Sequence, residues 1–263
     1  MKEFYKYHGA GNDFIMIDNR DGHFDIDDIE HIKLVCHRRF GIGADGIMLL
    51  ENENGYDFKM VYLNSDGTRG AMCGNGARCL VHFAYNVAKV VKDPKKIEFL
   101  AVDGEHEAKI LDDGNIKLKM QDMSDNTKYN DVDFVMCGTA PHYVKYVEDL
   151  KNFPVFEEGK KIRYTKERDG NVNFVEIKNS IFNIRTYERG VEDETLACGT
   201  GSTSVAIISH QLGLLKENIC HIKAPGGDLT VEFDPPKNTG EPYTNIWLTG
   251  PAVCVFKGNW VNK

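Results

Sequence analysis

The sequence of 263 residues lacks a basic patch: 40 Asp and Glu outnumber 32 Lys and Arg, for a net charge of −8. Its densest basic run, Lys160-Lys161-Ile162-Arg163, is short, and the other cations are scattered. Phosphate backbones and anionic lipid surfaces are met by clustered cations, so partnership with nucleic acid or a membrane surface is excluded. No stretch approaches the ~20 apolar residues of a membrane-spanning helix. The opening Met1-Lys2-Glu3-Phe4-Tyr5-Lys6 carries charges where a secretory leader needs an apolar core. A soluble, cytoplasmic protein is expected. There is no C-x-x-C and no low-complexity tract, although seven cysteines are present. Neither a disulfide framework nor a zinc ribbon is therefore suggested, and no metal is expected. The length allows a full core without such staples and lies between one domain and two.

Helical periodicity is scarce too. Phe58 to Leu63, Ile116 to Met120, Val172 to Ile177 and Leu229 to Phe233 alternate at period two and read as strands. Asp112-Asp113-Gly114-Asn115 supplies a hairpin turn. Ile29 to Phe40 and His142 to Leu150 read as helices. The polar run 121–131 is the candidate interdomain crossing, and 234–242 a long hairpin loop.

One G-x-G-x-x-G occurs, at Gly41-Ile42-Gly43-Ala44-Asp45-Gly46. A dinucleotide fold needs that loop after a strand and before a helix. Here the expected helix comes first and a strand, Ile47 to Leu50, follows. The order is reversed, so a closely packed turn is the better reading.

Two Cys-Gly-x-Gly units carry more chemistry. Cys73-Gly74-Asn75-Gly76 precedes the apolar helix Ala77 to Tyr85, and Cys198-Gly199-Thr200-Gly201 precedes Ser202 to Ser209. The cysteines lie 125 residues apart (73 to 198), close to half the chain, which suggests one strand-loop-helix unit per half. A thiol at a helix mouth sits against backbone N–H groups and the positive end of the macrodipole, which favours the thiolate. The glycines let those N–H groups approach a carboxylate.

If the halves face each other, one thiolate takes an α-proton while the opposite thiol delivers one to the other face, inverting the centre. The developing carbanion spreads into a carboxylate held by helix N–H groups. No pyridoxal cofactor is required, and no lysine advertises a Schiff base. Cys36, Cys79, Cys137, Cys220 and Cys254 read as core filler.

His8-Gly9-Ala10-Gly11-Asn12-Asp13-Phe14, the Gly41–Gly46 loop, Asn64-Ser65-Asp66-Gly67, Met72 to Cys79, Tyr187-Glu188-Arg189-Gly190 and Ala197 to Gly201 together resemble the diaminopimelate epimerase family, over nearly the whole chain and in the family's order. The resemblance implies an α+β fold of two pseudo-symmetric domains, each a mainly antiparallel sheet wrapped around a central helix, with the active site in the interdomain cleft. It implies interconversion of L,L- and meso-diaminopimelate, for lysine and peptidoglycan precursors, with no cofactor. By it, Cys73 and Cys198 match the acid and base, and His142 the histidine beside them. Asn64, Gly74, Asn75, Gly199 and Thr200 match the grip on the reacting carboxylate. Glu188 and the Arg189 backbone match contacts to the α-amino group; Asn12, Asn171 and the Arg189 side chain match the hold on the distal end.

The expected domains are 1–123, with 252–263 able to return to it, and 124–251. The partner is a small molecule, and a homodimer is compatible with the reading. Three positions depart from the family pattern: Gly138-Thr139-Ala140 precedes Pro141-His142 where an asparagine is usual, the stretch Gly190 to Thr195 is one residue longer, and Gly46 stands where some members have glutamine. Two alternatives remain at this point: a two-thiol racemase of the proline or hydroxyproline type, and a non-catalytic amino-acid-binding module. The former typically has histidine where Asn75 stands, and binding alone needs no paired thiols.

Overall fold

Seventeen strands and four helices fill the described residues (2–124, 127–129, 132–165, 169–238 and 240–261) of the computed structural model. The chain divides into two compact units, Met1–Leu118 with Pro251–Lys263, and Lys119–Gly250. The first contains β1 (Lys2–Gly9), β2 (Asn12–Asp18), α1 (Ile29–Cys36), β3 (Gly46–Glu51), β4 (Phe58–Asn64), α2 (Gly74–Asn86), β5 (Ile97–Ala101), β6 (Gly104–Ile110) and β7 (Ile116–Lys119). The second contains β8 (Thr127–Tyr129), β9 (Val132–Cys137), β10 (Ala140–Tyr146), α3 (Val155–Thr165), β11 (Asn171–Lys178), β12 (Ile181–Glu188), β13 (Asp193–Thr195), α4 (Gly199–Gln211), β14 (Ile219–Ala224), β15 (Gly227–Asp234) and β16 (Thr244–Gly250). The chain then returns to the first unit as β17 (Val253–Trp260), antiparallel to β1. Residues 125, 126, 130 and 131 of the expected crossing and residue 239 of the expected loop lie outside the described residues.

The two units repeat one pairing scheme. In the first, β1–β2, β3–β4, β5–β6 and β6–β7 are antiparallel, while β2–β3 and β4–β5 are parallel. In the second, β9–β10, β11–β12, β14–β15 and β15–β16 are antiparallel, while β10–β11 and β12–β14 are parallel. A parallel connection needs a crossover element, and each of the four carries a helix: α1 and α2 in one unit, α3 and α4 in the other. The fold is α+β and pseudo-symmetric, and the repeat extends far beyond the two cysteine loops visible in the sequence.

Each sheet wraps its second crossover helix. Helix α2 touches β1, β2, β3, β4 and β6, and α4 touches β9, β10, β11, β14, β15 and β16. Both open on glycine-rich turns of poor helix propensity, so packing rather than propensity holds them. In α4 every residue from Gly201 to Ser209 is buried. Its hydroxyls are satisfied internally: Ser202, Thr203 and Ser204 donate to the carbonyls of Cys198, Gly199 and Thr200 at 2.9, 3.0 and 2.8 Å. The first crossover helices cover the outer faces, where Ile32, Val35 and Cys36 of α1 pack with Ile47 and Leu49, and Val155 and Ile162 of α3 pack with Val172, Phe174 and Tyr187.

Three sequence expectations change. Residues 142–150 do not form a helix: His142, Tyr143 and Val144 are buried in β10, between β9 and β11. A strand covered on both faces is a continuous apolar run without period-two alternation, which imitates a buried helix. Helix α3, within the charged stretch around Lys160, is added. Cys254 is exposed rather than core filler, because β17 presents Val253 to Lys257 to solvent.

Candidate active site

Both thiols stand at the N-cap of their unit's wrapped helix, with nearly the same backbone: φ −117°, ψ 113° at Cys73 and φ −120°, ψ 114° at Cys198. Each cysteine carbonyl closes the first helical turn, accepting from Ala77 at 2.8 Å and from Ser202 at 2.9 Å. Neither sulfur caps its own helix. The first-turn N–H groups, which helix geometry leaves without an acceptor inside the helix, begin directly after the cysteine in both units. The second glycine of each motif is a matter of close approach. A Cβ on Gly76 would lie 1.9 Å from Met48 Cε, and one on Gly201 2.3 Å from Asn173 Oδ1.

The first unit brings Asn12, Cys73, Gly74 and Asn75 together. Cys73 Sγ faces Asn12 Oδ1 at 3.6 Å, and Asn75 Nδ2 donates to the same oxygen at 3.3 Å. Beneath them Arg78, wholly buried, donates to Asn75 Oδ1 at 2.8 Å and to the carbonyls of Gly74 and Pro251 at 3.4 Å each. Burial pulls the Arg78 guanidinium below its ordinary range, and the neighbouring Cys79 and Cys73 sulfurs favour its charge. Asn64 ends β4, donating to Thr68 Oγ1 at 2.9 Å and standing opposite Gly46 in register.

The Gly41–Gly46 loop lies after α1 and before β3, as a packed turn. A Cβ on Gly41 would be 1.9 Å from the Leu34 carbonyl oxygen, and Gly43 has φ +80°. The loop delivers Asp45, which accepts from Asn12 Nδ2 at 2.6 Å and from Arg38 Nη2 at 2.7 Å. Asp13 accepts from Arg38 at 3.0 and 2.7 Å and from Lys6 at 2.6 Å. Burial alone would raise the Asp13 carboxyl, but these cations outweigh it and hold it at about 2.

In the second unit Cys198 is buried, with its Sγ 3.5 Å from Thr200 Oγ1. Thr200 Oγ1 is 2.9 Å from His142 Nε2, so a hydroxyl links the histidine to the sulfur. Burial lowers the His142 imidazole to about 3, with the Arg189 charge acting the same way. The hydrogen bonds define its tautomer. Asn173 Nδ2 donates to the Tyr143 carbonyl at 2.9 Å and Asn173 Oδ1 accepts from Thr186 at 2.9 Å, which orients that amide. His142 Nδ1 therefore faces a donor at 3.2 Å and must accept. With Nδ1 accepting, the proton is assigned to Nε2, which lies 2.9 Å from Thr200 Oγ1 and 3.4 Å from Asn171 Nδ2.

Asn171 accepts from the Arg189 N–H at 2.9 Å and donates to the Pro141 carbonyl at 3.2 Å, so it fixes the backbone after β12. The Arg189 side chain is 3.7 Å from Asp169, and Glu188 is the last, half-buried residue of β12. Within residues 190–195, Glu192 has φ +59°. Its carboxylate accepts from Arg163 at 2.9 and 2.7 Å, which holds it near 2.

Burial pushes the thiols of Cys36, Cys137 and Cys220 up to about 12 and that of Cys79 higher still. Those four are inert fillers. Among the described residues no group of three His, Cys, Asp or Glu is arranged to hold a metal ion, and no helix is long and apolar enough to cross a membrane. Sequence reasoning missed Asp45, Arg78 and Asn173. The signal for Asn173 was available: with Asn171 it places two amides on the same face of β11 as Val175 and Ile177.

Solved structures share this fold. A phenazine biosynthesis protein of the PhzF family from Bacillus anthracis superimposes with a TM-score of 0.76 over 99% of both chains at 13% identity. A hydroxyproline epimerase from Agrobacterium vitis gives 0.66 over 97% of this chain and 91% of its own, also at 13%. Sequence relatives carry the comparison further. The diaminopimelate epimerase of Flavobacterium psychrophilum is 46% identical over 97% of this chain and 98% of its own length. That of Chlorobaculum tepidum is 42% identical over 95% and 98%. Fold, paired thiol helices and relatives together define an isomerase of the amino-acid racemase and epimerase class. The diaminopimelate epimerase family profile matches residues 4–124 and 134–255. The chain belongs to that family.

Proposed function

We propose that this protein interconverts L,L- and meso-diaminopimelate by a two-base mechanism, with Cys73 and Cys198 as acid and base. The observation that carries this reading is the paired N-cap thiols on matched wrapped helices. One thiolate takes the α-proton and becomes a thiol. The electron pair left on the α-carbon delocalises into the carboxylate, and the opposite thiol then protonates the other face and becomes the thiolate. The two roles exchange with each turnover, and no proton is gained or lost overall. First-turn N–H groups of both helices suit the carboxylate, where negative charge grows in the transition state. Neither pyridoxal phosphate nor a metal takes part. The activity serves lysine and peptidoglycan precursor synthesis in the cytoplasm.

Cys73→Ala or Cys198→Ala is expected to remove measurable epimerisation while circular dichroism stays that of the folded protein. Near-normal turnover by either variant sinks the mechanism. Incubation with diaminopimelate in deuterated water should place deuterium on the α-carbon. Deuterium on L-proline but not on diaminopimelate would instead assign the chain to the proline-type racemases.

A further inference from the structure

The Gly41–Gly46 loop is a packed turn that the paired-thiol mechanism does not use. It nevertheless supplies one end of a hydrogen-bonded row: Asp45, Asn12, Asn75, Arg78. The ends of this row are chemically unlike. A carboxylate only accepts and a guanidinium only donates. Asp45 therefore takes Nδ2 of Asn12, and Arg78 takes Oδ1 of Asn75. The amides between them meet head to tail, Asn75 Nδ2 on Asn12 Oδ1 at 3.3 Å. An isolated asparagine can present either atom, but here both orientations are dictated from the ends. The atom that meets Cys73 Sγ, at 3.6 Å, is consequently an oxygen.

We propose that Asp45 is a positioning residue for Cys73: by holding Nδ2 of Asn12 it turns Oδ1 of that amide onto the sulfur. The inference rests on the reading of Cys73 as an acid/base group. An oxygen acceptor lines up the S–H and favours the thiol, whereas an N–H donor would favour the thiolate. The Asn12 oxygen thus biases the first thiol toward the proton-donor form. Arg38 makes the assignment testable. Asp45 Oδ1 accepts from Arg38 Nη2 at 2.7 Å, while Oδ2 accepts from Asn12 at 2.6 Å and faces the Asp13 N–H at 3.3 Å. In Asp45→Asn the remaining oxygen stays with the guanidinium, so an NH2 group confronts Asn12. The Asn12 amide must then reverse, presenting Nδ2 to Cys73, or lose the bond.

The test is the rate at which iodoacetamide alkylates Cys73 at neutral pH, read by mass spectrometry of the peptide containing it, together with kcat. Asp45→Asn should alkylate at least about threefold faster, because an N–H facing the sulfur raises its thiolate fraction. Its kcat should fall at least about tenfold, as for a lost acid-base contribution. The exchange Asn12→Asp with Asp45→Asn restores the polarity of the row, since the new amide donates and the new carboxylate presents oxygen to Cys73. Its alkylation rate should return to or below the wild-type rate. If Asp45→Asn alone does not fold, the double exchange and wild type are each compared with their own urea-unfolded form: the same slowing of Cys73 alkylation on folding supports the assignment, and its loss in the exchange overturns it. Alkylation and kcat of Asp45→Asn within twofold of wild type overturn it, as does an exchange variant that stays fast. Alkylation needs no substrate, so this outcome is separable from the reading above, which is tested by turnover of wild type and of Cys73→Ala and by deuterium incorporation.

Discussion

His142 stands in the unit that holds Cys198 and is linked to its sulfur through the Thr200 hydroxyl. Its work is to donate from Nε2 to Thr200 while its own Nδ1 is tied to Asn173. The neutral form is required, and burial supplies it by lowering the imidazole from 6.5 to about 3. Between those values the unfolded chain binds a proton at this position and the folded protein does not, so acid favours unfolding. The stabilising contribution is complete above about pH 6.5 and is lost progressively toward pH 3. Between pH 6 and 5 the stability of wild type should fall more steeply than that of His142→Gln, by up to about 1.4 kcal/mol per pH unit. Urea midpoints across that range check this; equal slopes would mean that the histidine titrates normally in the folded protein. His82 and His210 are lowered by burial as well, so the variant keeps a residual slope.

The opening of α4 shows why an element's glycine can outweigh its helix propensity. Alanine at position 201 would gain about 1 kcal/mol of intrinsic helix preference. Its Cβ, however, would meet Asn173 Oδ1 at 2.3 Å, and that amide is tied to Thr186, Tyr143 and His142. Gly201→Ala is expected to destabilise by about 1–3 kcal/mol, as overpacking does. Gly76→Ala presses chiefly on the flexible end of Met48, with the Phe14 ring at 3.3 Å, and should cost less. The two thermal midpoints check the order; a neutral Gly201→Ala would show that Asn173 can move. These helix starts were legible in the sequence because a cysteine and two glycines before an apolar run is a local pattern. His142 was misplaced in a helix because β10 is buried on both faces and its periodicity is lost. Helix α3 was hidden because few of its residues are buried and Gly159 lets it sit close on Tyr187, 2.4 Å from a notional Cβ to Tyr187 Cβ. Asp45 and Arg78 escaped because their partners are distant in sequence, and only the folded backbone sets the polarity of the row between them.

For the whole molecule, the repeated topology makes each half a similar sheet around its own helix, yet the halves are not equally continuous in the chain. The second is one uninterrupted segment, and the first is split by it. Strand β17 completes the first sheet along β1, with Lys2 opposite Trp260 and His8 opposite Val253. A chain ended after residue 250 should therefore keep the second unit but leave the backbone edge of β1 unpaired, an invitation to pairing between molecules. Light scattering should show it associating, and hydrogen exchange should show lost protection in β1 with α4 still protected. A monomeric product with β1 fully protected would contradict this. The Pro251 carbonyl, which accepts from buried Arg78, is lost in the same cut. On the ribosome the same connectivity imposes an order in time. At roughly 5–20 residues per second, the first unit waits on the order of ten seconds for its last strand while the second is made. The later-encoded half can thus finish folding before the earlier one, and the interval with an open β1 edge is when a chaperone has most to protect.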